Sequence, residues 1–161
     1  MLATGVRLKL LIIFVIVENV QEIVKIAELR LKEAKILFDN DCFDGCIYLA
    51  GYCIELLLKA KIAMLLDLDN LFASVGKEKI KPFRIHKLLD LALYAGVYKQ
   101  ISEETNETFK EYWSLLYSQW SENLRYSKCG NCSKARAENF LKAIEDPTNG
   151  IKKWIEEKLA V

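Results

Sequence analysis

Glu55 and Lys59 are the leading polar groups in a run, residues 46–66, that is otherwise nearly apolar. Four residues apart, they share one helix face with Tyr48 and Tyr52. A charge on so apolar a helix is costly to bury unless it is paired or hydrogen-bonded. Two readings follow. One is an intrahelical salt bridge on a partly exposed strip. The other is the polar wall of a cleft, in which Glu55 orients a basic group and Lys59 meets a phosphate.

His86 is the only histidine, and the clearest basic cluster of the chain surrounds it: Lys77, Lys79, Lys81, Arg84 and Lys87, with the single acid Glu78. The bland reading is a structural histidine at a helix start beside a solvated loop; the functional one is a phosphate-facing patch. A single histidine excludes paired-histidine acid–base chemistry and metal sites that need several imidazoles. A third group is Trp120, Arg125 and Tyr126, in W-S-E-N-L-R-Y. Aromatic residues flanking an arginine can stack bases and hold phosphate. Equally, Trp120 can belong to the core while Arg125 pairs with a carboxylate.

Cys129-Gly-Asn-Cys132 supplies two thiols with zinc-compatible spacing, but a structural zinc needs four ligands. Cys42 and Cys46 complete a set only if the fold brings them close; otherwise the segment is an inert turn. No βαβ pattern surrounds it to suggest a thioredoxin-like centre. There is no glycine-rich phosphate loop, and Gly45 and Gly51 lie too far apart for one. Asp67, Asp69 and Asn70 lack the glycine and terminal glutamate of a calcium loop. No cofactor is expected.

These residues sit in a chain of 161 residues, which suits one domain. Lys and Arg number 23 against 22 Asp and Glu, so attraction to nucleic acid must come from a local patch. Nothing points to DNA. Two prolines and seven glycines favour long uninterrupted helices. The five cysteines are an odd number, three of them in an apolar stretch, which suits a reducing, cytoplasmic setting rather than a disulfide scaffold. At the N-terminus, Leu8 to Val17 forms an apolar run about half as long as the roughly 20 residues of a membrane span. It reads as a targeting or anchor segment, as an extra buried helical turn, or as an upstream extension of the true start. Accordingly, residues 1–16 are separated from a helical domain over residues 17–161.

Periodicity places the elements. A first helix is expected over residues 17–38, with Val20, Ile23, Val24, Ala27, Leu31, Ala34 and Leu37 as its buried stripe. Asp41 is expected to cap a second helix over residues 42–66, apolar nearly all round and therefore central. Residues 67–82 read as a polar loop. A third helix follows over residues 85–94, closed by Gly96. Ser102-Glu103-Glu104 is expected to start a fourth, with Phe109, Trp113, Leu116, Tyr117 and Trp120 on its inner face. A last helix over residues 133–145 breaks at Asp146-Pro147 and resumes to about Leu159. The fold class is all-α, an up-and-down bundle of four to five helices.

Tyr48-Leu-Ala-Gly-Tyr-Cys-Ile-Glu-Leu-Leu-Leu-Lys-Ala60 resembles the signature helix of the HEPN domains, the nucleotide-binding domains of higher eukaryotes and prokaryotes. Ile85-His86-Lys87-Leu88 is similar to the His-x-Leu opening of their third helix, and Trp120 with Arg125-Tyr126 to their late W…RY element. The resemblance implies a helical bundle, often a homodimer, often encoded beside a small nucleotidyltransferase in prokaryotic toxin–antitoxin or stress-response pairs. Many members are metal-independent ribonucleases that use an Arg, four to six residues of any type, then a His. Here those positions after Arg125 hold Gly130, Asn131 and Cys132. His86 precedes Arg125 by 39 residues and is not the motif histidine.

The expectation is therefore a non-catalytic binding module. Glu55, Lys59, His86, Arg125, Tyr126, Arg84 and Lys81 are its ligand- or phosphate-binding candidates, with Glu55 and Lys59 facing Arg125 and His86 across one cleft. The alternatives are a divergent ribonuclease using Arg125, and a structural or membrane-associated helical protein.

Overall fold

The computed structural model describes residues 19–67 and 84–159. The run from Leu8 to Val17, the basic residues Lys77, Lys79 and Lys81, and Asp69 and Asn70 lie outside the described residues. What is described is an all-α bundle, with no strand among the described residues.

α1, Val20–Asp39, starts where Asn19 accepts the Glu22 backbone N–H at 2.9 Å. Its buried residues, Ile23, Ala27, Leu31 and Ala34, recur at helical steps and form the inner stripe. The turn that follows differs from expectation. Asp41 takes a left-handed conformation, φ 57°, and Cys42 occupies the cap position of α2, Phe43–Leu65, with no side-chain cap bond. The Cys42 N–H instead donates to the Leu37 carbonyl at 2.8 Å, closing the α1–α2 hairpin. Asp41 is the residue that bends the chain, and aspartate tolerates that region better than most.

α2 is the central helix, packed against α1 and against α3, α6 and α7. Ile54, Leu57 and Leu58 have no exposed surface. Burying each contributes about 1.5–3 kcal/mol. α3 is Leu88–Tyr94, three residues shorter at its start than expected. Its end follows the expected glycine stop: Gly96 sits at φ 70°, its N–H donating to Leu93 while that of Val97 donates to Ala92. A short α4, Tyr98–Ser102, follows, which hydrophobic periodicity did not signal. Ser102 thus ends a helix rather than starting one. The true cap of α5, Glu107–Gln119, is Asn106, which accepts from the Phe109 N–H at 3.1 Å. A 3-10 helix, Glu122–Tyr126, leads to α6, Lys134–Glu145, and α7, Ile151–Leu159. The expected break between these last two is present, held by Asp146, which accepts the N–H groups of Thr148 and Asn149 at 2.9 and 2.7 Å.

No described helix is long and apolar enough to cross a membrane.

Candidate functional site

The charged pair of α2 is buried, not partly exposed: Glu55 is 1% and Lys59 6% accessible. Helical spacing brings them together, and Lys59 Nζ donates to Glu55 Oε1 at 2.5 Å. A buried pair needs further hydrogen bonds to offset its desolvation. His86 supplies one from the segment just ahead of α3. Its Nδ1 lies 3.0 Å from Glu55 Oε1 and 3.1 Å from Oε2. A carboxylate only accepts, so the geometry assigns the proton to Nδ1 and leaves Nε2 as the outward nitrogen. The His86 side chain is 37% exposed. A buried glutamate therefore fixes the tautomer and direction of a solvent-accessible imidazole, with a lysine ammonium balancing the charge behind it.

Trp120 sets the neighbouring wall. Its indole N–H donates to the Tyr48 carbonyl at 3.0 Å, and the ring covers Gly51, leaving no space there for a side chain. At 5% exposure Trp120 is a core residue, and does not offer a free stacking face. Beside it a groove of about 590 Å³ runs between the start of α3 and the end of α5, with Lys87, Leu89, Asp90, Tyr117, Gln119 and Leu124 in its lining. His86 immediately precedes the first of these residues and Arg125 immediately follows the last.

Arg125 itself stands apart from the buried network. It makes no ion pair with a carboxylate among the described residues; its guanidinium lies 5.0 Å from the ring centre of Tyr126, which is 77% exposed. His86 joins Glu55 and Lys59 in one bonded centre, while Arg125 and Tyr126 follow the groove-lining Leu124 in the chain and make no hydrogen bond or ion pair with that centre. Arg84 is exposed and takes part in no ion pair among the described residues. A separate cavity of about 510 Å³, between the start of α1 and the ends of α2 and α7, contains none of these residues.

The cysteines do not converge on a metal. Cys42 and Cys129 are exposed, Cys46 and Cys132 buried. Among the described residues no group of three or more His, Cys, Asp or Glu side chains surrounds a common position. The C-x-x-C turn has a structural partner that sequence reading missed: Asp44 on the first turn of α2 accepts the N–H groups of Gly130 and Cys132 at 2.5 and 2.8 Å. Gly130, at φ 76°, supplies the left-handed residue this turn requires.

Sequence reading also passed over a second residue. Arg30 looks like one more charge on α1, yet it lies at the border of the buried stripe and points one ion pair at Glu33, Nη1 to Oε2 at 3.0 Å. The signal was its place directly before Leu31 and three residues after Ala27, both buried. Close to it on α2, the Tyr52 hydroxyl titrates above its ordinary value of 10.0, first because of burial and then because of the charges of Glu55 and Tyr48, with Arg30 pulling the other way.

Comparison with known proteins agrees with the helical pattern. No curated protein matches the chain, and no solved structure matches it. The sequence profile of the HEPN domain matches residues 20–153, from the first residue of α1 into α7. A match over most of the chain, on the elements that carry Glu55, Lys59, His86 and Trp120, shows that this protein belongs to the HEPN domain family.

Proposed function

We propose that this domain is a binding module for a phosphate-bearing ligand, a nucleotide or a short stretch of RNA, held at the α2 centre and the adjoining groove. The observation that carries the reading is the buried Glu55 carboxylate, bonded at once to Lys59 and to the accessible ring of His86. Burying two charges to aim a third group is a costly arrangement for stability alone, since apolar residues of like volume serve packing as well or better. With Nδ1 engaged, the imidazole offers Nε2 to a ligand hydroxyl or, when protonated, to a phosphate oxygen. Arg125, free of any carboxylate among the described residues, and the exposed Tyr126 ring follow the groove-lining Leu124 in the chain and offer a cation and a stacking face.

The module acts as a homodimer and pairs with a small nucleotidyltransferase in a prokaryotic toxin–antitoxin or stress-response system, in the reducing cytoplasm. Family membership supports this part, as does the absence of a histidine at Gly130, Asn131 and Cys132, where the ribonuclease motif would place it. Isothermal titration with ATP, GTP and a short RNA tests the binding. His86→Gln and Arg125→Ala are each expected to weaken it about tenfold, equivalent to roughly 1.4 kcal/mol. Absence of binding to all three, together with no complex with a co-encoded nucleotidyltransferase, overturns the reading.

The geometry of His86 also favours a second reading, a divergent metal-independent ribonuclease. An imidazole oriented by a buried carboxylate is the arrangement of a general base, and Arg125 is a cation suited to the phosphorane charge. Structured RNA incubated with wild type, Arg125→Ala and His86→Gln decides: equal cleavage by all three, or none by any, ends this reading.

A further inference from the structure

The groove between the start of α3 and the end of α5 is lined by a carboxylate that the fold does not use. Asp90 is exposed and takes part in no ion pair or hydrogen bond among the described residues. Lys87, three residues earlier in the same lining, does not pair with it. A phosphate placed against Asp90 would meet like charge. A nucleotide held in this groove therefore turns toward Asp90 a part that donates hydrogen bonds.

Gln119, the last residue of α5, lines the same groove, and its amide has an assigned direction. Arg136 Nε donates to Gln119 Oε1 at 2.9 Å, and Arg136 Nη2 donates to the Gln119 backbone carbonyl at 3.3 Å. A guanidinium only donates, so the amide atom that meets it is the oxygen. The amide nitrogen is left over, and it has no partner among the described residues. The α3 side thus contributes a pair of acceptor oxygens and the α5 side an N–H donor. Apolar surface accompanies them: Leu89 is 38% and Tyr117 39% exposed, and both line the groove. The Tyr117 ring packs on Trp113, with ring centres 6.2 Å apart, which steadies it. Apolar walls with a few polar groups that fix orientation are the make-up of a small-molecule site, and about 590 Å³ suits a nucleotide.

We propose that this groove reads a guanine base, with Asp90 as the residue that selects it. This rests on the nucleotide- or RNA-binding reading above and names the base. Guanine carries two N–H donors, at N1 and on the 2-amino group, side by side with the O6 carbonyl. The two oxygens of Asp90 accept the donor pair, and the Gln119 amide donates to O6. Adenine sets the N1 lone pair beside a single amino donor, so a carboxylate there meets an acceptor. Cytosine does the same with N3, and uracil sets its one N–H between two carbonyls. Leu89 and Tyr117 supply apolar and aromatic surface for the ring.

The test titrates the full chain with GTP, ATP, xanthosine triphosphate and two short RNAs that differ by one unpaired guanosine or adenosine. Wild type is expected to bind GTP at least tenfold more tightly than ATP. Asp90→Asn, at an exposed position, leaves the core untouched. It is expected to weaken GTP at least tenfold and to gain affinity for xanthosine triphosphate, whose 2-carbonyl accepts the new amide N–H. A gain of that kind does not arise from a damaged fold. A guanine preference confined to the RNA pair, and lost in Asp90→Asn, supports the proposal and names RNA as the source of the base. Equal affinity for the guanine and adenine forms overturns the proposal while the binding reading stands. So does a guanine preference that Asp90→Asn leaves intact. No binding of any of these ligands to wild type overturns both.

Discussion

The indole of Trp120 fills the space that a side chain at Gly51 would need, while its N–H donates to the Tyr48 carbonyl at 3.0 Å. One glycine on α2 thus lets the end of α5 seat directly on the central helix, beside the turn that carries Glu55. Gly51→Ala must displace a ring that is 5% exposed. Overpacking of this kind costs about 1–3 kcal/mol. Urea unfolding should show that loss, and Trp120 fluorescence should shift to the red in the folded variant. An unchanged midpoint would contradict the packing described.

The buried pair of α2 predicts strong non-additivity. Glu55→Leu leaves the Lys59 ammonium without its carboxylate at 6% exposure. Removing one partner of a buried ion pair costs about 3–5 kcal/mol. The double variant Glu55→Leu with Lys59→Met removes both charges and should recover most of that loss, as measured by chemical denaturation. It should not recover ligand binding, because His86 then has no carboxylate to orient it. Additive losses would mean that the two groups are independently solvated.

Thiol reactivity should divide the cysteines. Burial pushes the Cys46 and Cys53 thiols up to about 12, and raises Cys132 as well. The thiolate is the reactive form. At pH 8 a disulfide reagent should modify the exposed Cys42 and Cys129 rapidly, Cys132 slowly, and Cys46 and Cys53 only after unfolding. Rapid reaction of all five would show that α2 is not packed as described.

Asp146 predicts an acid limb of stability. The N–H groups of Asn149 and then Thr148 hold its carboxyl below the ordinary value of 3.8. A carboxyl whose folded pKa is depressed adds stability that is complete above the unfolded value. That stability is lost as pH falls through the folded one. Thermal melts of wild type and Asp146→Ala should therefore differ at neutral pH and draw together only as pH falls below the ordinary carboxyl value of 3.8 and through the depressed folded one. A constant difference across that range would rule the carboxylate out as the cause.

Much of the bundle is legible in the chain. The stripe Ile23, Ala27, Leu31 and Ala34 specifies the buried face of α1, because period and face are the same information in a helix. The central place of α2 follows from its lack of a polar face. Helix ends were less legible. Asp41 and Ser102 are capping residue types, but the caps went to Cys42 and Asn106, since the choice between neighbouring residues depends on how the turn closes against the bundle. α4 is too short to leave a periodic trace.

The site divides along the same line. Glu55 and Lys59 meet because they are four residues apart on one helix, and the sequence alone determines that contact. His86 reaches Glu55 across 31 residues, Trp120 reaches Tyr48 across 72, and Asp44 reaches Cys132 across 88. Arg125 reads like a member of the same cluster yet bonds to none of its residues, while Arg30 reads like a solvated charge and has a buried Nε. Periodicity states which face of a helix turns inward. Which side chain of another helix meets it depends on helix order, crossing and small-residue gaps such as Gly51, and these exist only once the helices have packed.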